Sequence, residues 1–186
     1  MNIGLLEIHT LEKCFKSLPP LNRINMRKYT IVVEKINEFI SEFNNLLKEE
    51  YQIEALDLQQ LENDAYFLNL NGKTWDTAYY PRCGGPGVYF YFASSVDDPS
   101  KLALYVGKAS NNSNLGRRID THFNWRIKQG NLDQEGKDGV AYRIEMITSL
   151  PIEKNDTGFL APALEEFLIS KFSRHGEFTL FNSQGT

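Results

Sequence analysis

Between Tyr29 and Tyr51, the apolar residues Val32, Ile36, Phe39, Phe43, Leu46 and Leu47 recur at helical intervals. Such spacing gathers them on one face and predicts a long amphipathic helix, acidic on the other side. The stretch "SLPPLNR" precedes it and interrupts the chain, because proline ends helices. A second helix is expected over Ile53 to Phe67. Residues 1–80 therefore read as a helical N-terminal extension.

The pattern changes at "YYPRCGGPG", residues 79–87, where prolines and glycines mark a turn or domain entry. Strands are expected at 88–93 and 101–106, joined by the polar turn "SSVDDPS" as a hairpin. The loop "SNNSN" leads into a helix from Leu115 to Lys128, and "QGNLDQEGKDG" leads out of it. "VAYRIEMI", residues 140–147, alternates as a third strand. A last helix opens near Pro162, a residue suited to a first turn, and runs to Phe172. The order β-β-α-β-α makes residues 81–186 a mixed α/β (α+β) domain.

A chain of 186 residues suits one domain, or one domain with an extension. No stretch approaches the roughly 20 apolar residues of a membrane span. The N-terminus lacks the basic start and apolar core of a signal peptide. Cys14 and Cys83 lie far apart and form neither a disulfide framework nor a paired zinc motif, so a reducing cytoplasm is expected. The net charge of −4 argues against a generic nucleic-acid binder, but its distribution is uneven. Residues 31–64 carry nine acidic and two basic side chains, whereas residues 101–128 carry six basic and one acidic. A local basic segment meets phosphates even in an acidic protein. A solvated helix face explains the same charges.

Three groups of side chains converge. On the first two strands, Val88, Phe90 and Phe92 share one face, and Tyr89 and Tyr91 share the other. Tyr105 lies with Ala103 and Gly107, whose small size leaves room for Tyr89 beside it in a hairpin. The plain alternative is two tyrosines packed on a helix with their hydroxyls reaching water. On the next helix, Leu115, Ile119, Phe123 and Ile127 form a core stripe, and Arg118, His122 and Arg126 run beside it. Guanidinium groups suit phosphate oxygens, and histidine moves protons near neutral pH. A half-buried surface histidine explains His122 equally. On the last helix, Glu165 lies nearer the apolar face than Glu166, and a carboxylate there needs a partner. A hard divalent cation and an arginine both qualify.

Taken in order, "GVY" at 87–89, "YVG" at 105–107, "LGRRIDTHF" at 115–123, "LEEFLI" at 164–169 and a late asparagine resemble the GIY-YIG nuclease domain. The resemblance spans about residues 85–182, a little over half of the chain. It implies a small central sheet of three antiparallel strands flanked by helices. It also implies hydrolysis of DNA phosphodiesters with one Mg²⁺ or Mn²⁺ ion. The implied catalytic residues are Tyr89, Tyr105, Arg118, His122, Glu165 and Asn182, with Glu165 as the metal ligand. Lys108, Arg117 and Arg126 are expected to contact nucleic acid. In that scheme Arg118 binds the scissile phosphate, and Tyr89 or Tyr105 orients and deprotonates water. His122 hydrogen-bonds a tyrosine or accepts its proton. The chain departs from the family pattern in two ways. Both middle isoleucines are valine, and the interval from Glu165 to Asn182 is long. A compact type II restriction endonuclease fits the size, as does an accessory phage or plasmid nuclease. Loops at 110–114, 130–139 and 153–162 are then expected to read bases. Cutting both strands requires a homodimer or two successive nicks. Two non-catalytic alternatives stay open: a domain that binds nucleic acid without cutting it, and an acidic helical half that binds a protein partner.

Overall fold

The computed structural model describes the backbone of residues 23–57, 68–69, 84–110, 113–128, 133–152 and 154–182, and the side chains of residues 28–57, 84–110, 113–122, 133–152 and 156–182. Helix α1 spans Arg23–Asn44. Its buried residues Val32, Val33, Ile36, Phe39, Ile40 and Phe43 follow the expected stripe. The helix stops at Asn44, so Leu46 leaves the stripe and is 72% exposed, while Leu47 still packs against the core.

The next segment corrects the expected second helix. A short 3₁₀ helix covers Glu49–Tyr51, and residues 52–57 are not helical. Asn44 accepts the Ile53 N–H and donates to the Ile53 carbonyl, both at 2.8 Å. Asn37 does the same for Leu56, again at 2.8 Å. These two amides lie two turns apart on one face of α1. They take the backbone groups that a helix would have used, and they hold Ile53 and Leu56 buried against α1. Residues 58–67 of that expected helix lie outside the described residues.

The strands are β1 (Leu68–Asn69), β2 (Gly87–Ser95), β3 (Leu102–Ala109), β4 (Asp133–Glu135), β5 (Ala141–Pro151) and β6 (Thr179–Leu180). Helix α2 is Leu115–Lys128, as the pattern predicts, and α3 is Leu160–His175, longer at both ends than expected. A 3₁₀ helix at Lys154–Phe159 leads into α3. Gly176, at φ 72°, closes α3 in the left-handed conformation that glycine adopts without a Cβ penalty.

The sheet order is β1-β5-β2-β3-β6, with β4 pairing β5 off that path. The expected three antiparallel strands are present as β5-β2-β3, but the sheet is not three-stranded. Strands β1 and β4 add to the free side of β5, and β6 pairs β3 in parallel, so the sheet is mixed. The three added strands are two or three residues long, too short to show an alternating pattern in the sequence.

Every residue of β2 is buried, because both faces of the sheet are covered. On one face, Val88, Phe90, Phe92, Leu104, Val106, Met146 and Leu150 pack with α1 and α3. On the other, Tyr89, Tyr91, Ala93, Ala103, Ile144 and Ile147 pack with Leu115 and Ile119 of α2. A bulge breaks the β2–β5 register: Phe92 pairs Met146 and Ala93 pairs Ile144, leaving Glu145 as the extra residue. Glu145 accepts from Tyr29 at 2.7 Å and Ser94 at 3.0 Å, and pairs Lys28 at 2.6 Å. The bulge thus anchors α1 to the sheet. Among the described residues, no helix is long and apolar enough to cross a membrane.

Candidate active site

The β2–β3 register places Tyr89 opposite Gly107 and Tyr91 opposite Tyr105. A Cβ on Gly107 would lie 2.3 Å from Tyr89 Cζ and 2.5 Å from its hydroxyl oxygen. The last glycine of "YVG" therefore provides the space in which the Tyr89 ring lies. The Tyr91 and Tyr105 rings stack, 5.0 Å apart and 17° from parallel. Tyr89 sits 5.3 Å from Tyr91 and 6.0 Å from Tyr105 between ring centroids. All three rings form one aromatic group on the α2 side of the sheet.

Helix α2 reaches this group through His122. Asn114 accepts the Arg117 N–H at 2.7 Å, a side-chain cap that fixes where the helix begins. Leu115 and Ile119 then bury one stripe, and half-buried His122 follows on the adjacent one. Its ring centroid is 6.3 Å from that of Tyr89 and 6.2 Å from that of Tyr105. Arg117 and Arg118 are exposed on the first turn.

Tyr89 is only 1% exposed. Burial pushes its phenol pKa well above the usual tyrosine value, and the charge and hydrogen bonding of Tyr105 push it further. Arg118 and hydrogen bonding with Tyr91 oppose that shift without reversing it. Burial thus favours the protonated phenol of Tyr89 over the phenolate.

The opposite wall comes from α3 and the C-terminal segment. Glu165 is half-buried and meets the Lys108 ammonium at 2.7 Å. Lys108 lies on the face of β3 opposite to Tyr105, so this pair bridges the strand and α3 beside the tyrosines. Beyond β6, Asn182 accepts the Val106 N–H at 2.9 Å and donates to the Val106 carbonyl at 2.6 Å. Its side-chain amide continues the β3–β6 pairing where the backbone has left it.

Between these walls lies a cleft of about 480 Å³. Four of the expected residues line it: Tyr105, His122, Glu165 and Asn182. Tyr89 packs against Tyr105 and Lys108 reaches the cleft through Glu165, whereas Arg117 and Arg118, exposed on α2, are not among the residues that line it. The side chain of Arg126 lies outside the described residues. Tyr91, Gln134 and Glu166 also line the cleft, and the expected set lacks them. Tyr91 carries a signal, because it shares a strand face with Tyr89. Glu166 adjoins Glu165 but points from the more polar side of α3. Gln134 has no signal, since β4 is three residues long.

The described residues contain no group of three His, Cys, Asp or Glu side chains that could hold a metal ion. Mg²⁺ and Mn²⁺ do not need such a group. A hard cation of this kind keeps several waters and takes one or two carboxylates together with substrate phosphates. Glu165, half-buried and facing an open cleft with Glu166 beside it, fits that donor set. Two phenols, an imidazole, two carboxylates and an amide thus meet around one cleft, through Tyr91, Tyr105, His122, Glu165, Glu166 and Asn182. No protein-family model, curated protein or solved structure matches the chain.

Proposed function

We propose that the chain is a metal-dependent DNA endonuclease of the GIY-YIG kind, hydrolysing phosphodiester bonds. One observation carries the reading: Tyr105, His122, Glu165 and Asn182, drawn from four separate segments, line a single cleft with Tyr89 directly behind it. The antiparallel trio β5-β2-β3, flanked by helices, supports the same reading, with the added strands as elaborations.

In this mechanism Arg118 binds the scissile phosphate and offsets the charge that develops on it. Tyr105, half-buried and facing the cleft, orients the attacking water. His122 takes the proton, because an imidazole titrates near neutral pH and a phenol does not. Tyr89 remains protonated and holds the Tyr105 hydroxyl in position. Glu165 holds Mg²⁺ or Mn²⁺, which when bound supplies Lewis-acid stabilisation of the leaving oxygen. Asn182 keeps the β3 edge closed beside Tyr105. The partner is DNA, the compartment cytoplasmic, and double-strand cleavage uses a homodimer or two successive nicks. A compact restriction endonuclease is one form of such an enzyme, and an accessory phage or plasmid nuclease is another.

The test is incubation with supercoiled plasmid and with long phage DNA, in Mg²⁺, Mn²⁺ or EDTA, beside Glu165→Ala. The expected result is metal-dependent cleavage, in discrete fragments for a restriction enzyme, and its loss in the variant. DNA binding that is equal in both proteins and independent of metal, with no cleavage, would overturn the reading in favour of a binding module.

A further inference from the structure

The Lys108–Glu165 ion pair joins the expected metal ligand to an expected phosphate contact. The two side chains meet at 2.7 Å, with side-chain exposures of 33% and 14%. Glu165 lines the cleft and Lys108 does not. The ammonium therefore approaches the carboxylate from outside the cleft, from the α3 face of β3. A cation arriving at Glu165 Oε2 meets a carboxylate that already has a positive partner.

We infer that Lys108 is an internal competitor for the metal, so that Glu165 takes up Mg²⁺ or Mn²⁺ strongly only once a phosphodiester draws Lys108 away. The inference rests on the proposed nuclease function and adds to it an order of loading: DNA first, metal second. Three physical points support it. A partly buried carboxylate with one ammonium partner is already stabilised, so a metal gains less there than at a lone carboxylate. Lysine is a flexible point charge, and its one-third exposure lets the ammonium swing toward solvent-side phosphate without repacking. Linkage then makes the effect reciprocal, because whatever removes Lys108 from Glu165 tightens metal binding, and bound metal tightens DNA binding. Lys108 is thus a positioning residue that acts through Glu165.

The experiment measures Mn²⁺ binding by the electron-paramagnetic signal of free Mn²⁺, with and without a short DNA duplex made uncleavable by phosphorothioate linkages. Wild type, Lys108→Met, Lys108→Arg and Lys108→Met with Glu165→Gln are compared. Without DNA, Lys108→Met is expected to bind Mn²⁺ about five-fold or more tightly than wild type. Lys108→Arg is expected to stay near wild type. The duplex should tighten Mn²⁺ binding to wild type and leave Lys108→Met nearly unchanged. The added Glu165→Gln should abolish the gain, which places it at that carboxylate. A structural role alone lowers metal affinity on removal of Lys108 and cannot raise it. Equal Mn²⁺ affinity in wild type and Lys108→Met, or a gain that survives Glu165→Gln, overturns the inference. Failure of the nuclease reading looks different, because wild type then cleaves no DNA whatever the Lys108 variants do with Mn²⁺.

Discussion

At the scale of single residues, the tyrosines divide by burial. Tyr89 and Tyr105 look equivalent in the sequence, each central to a short strand motif. The fold buries Tyr89 behind Tyr105 and lets Tyr105 face the cleft. Tyr105→Phe is therefore expected to fold normally and to cleave about 10²-fold or more slowly, the scale for losing a group that positions a reactant. Plasmid cleavage rates check this, and full activity would remove Tyr105 from the chemistry. Tyr89 has a different signature. Its folded-state pKa is raised, so the folded protein holds a proton that the unfolded chain releases near the ordinary value of 10.0. The resulting stability is fully present below that pH and is lost as pH rises above it toward the folded value. Each such phenol contributes a slope of about 1.4 kcal/mol per pH unit in that range. Tyr29, raised by burial and by Glu145, adds to the same alkaline limb. Urea unfolding on the alkaline side of pH 10 should show Tyr89→Phe with a shallower fall than wild type. An identical slope would mean that Tyr89 ionises freely in the folded protein.

At the scale of elements, long periodic stretches were legible and short pairings were not. Helix α2 runs over the residues its pattern predicts, and strands β2, β3 and β5 lie where alternation places them, each extended by a few residues. The non-helical run from Ile53 to Asp57 was hidden because it depends on Asn37 and Asn44, side chains of another element that act as backbone surrogates. Strands β1, β4 and β6 exist through their partners' free hydrogen-bonding groups, which a local pattern does not record. The bulge at Glu145 is of the same kind, set by the ion pair and hydrogen bonds it makes to α1. Helical spacing places His122 beside the cleft, while Arg118 one turn earlier is exposed and outside its lining. For Asn182 a structural task became visible only in the fold. Removing its amide strands the buried N–H and carbonyl of Val106, and each stranded group costs about 1–3 kcal/mol. Asn182→Ala is therefore expected to lower the chemical unfolding midpoint clearly and to release the β3 edge. Hydrogen exchange at Val106 should accelerate in the variant. An unchanged midpoint with lost cleavage would instead make Asn182 a purely catalytic group.

At the scale of the whole molecule, the charge asymmetry of the sequence becomes a spatial one. Helix α1 covers one face of the sheet and α2 the other. The exposed Glu34 and Glu38 of α1 therefore lie across the sheet from the exposed Arg117 and Arg118 of α2. Glu34 and Glu38 thus do not confront a phosphate backbone approaching α2. The same arrangement makes α1 part of the core. Phe39 packs edge-on against Phe172 of α3 at 5.0 Å, Tyr29 reaches the bulge of β5, and Lys171 pairs with Glu42. Because α3 carries Glu165, a loss of packing under α1 is transmitted to the wall of the cleft. Phe39→Ala is expected to cost about 3–5 kcal/mol, the range for a buried phenylalanine whose cavity cannot collapse. If α1, the sheet and α3 form one cooperative unit, far-ultraviolet dichroism, tyrosine near-ultraviolet dichroism and Mn²⁺ binding will all be lost in one transition, shifted together in the variant. If α1 is an appended piece, the variant will show two steps: helix signal lost first, with the tyrosine signal and metal binding persisting to the wild-type midpoint. The burial of Phe39 at the meeting of α1 and α3 leads us to expect the single transition.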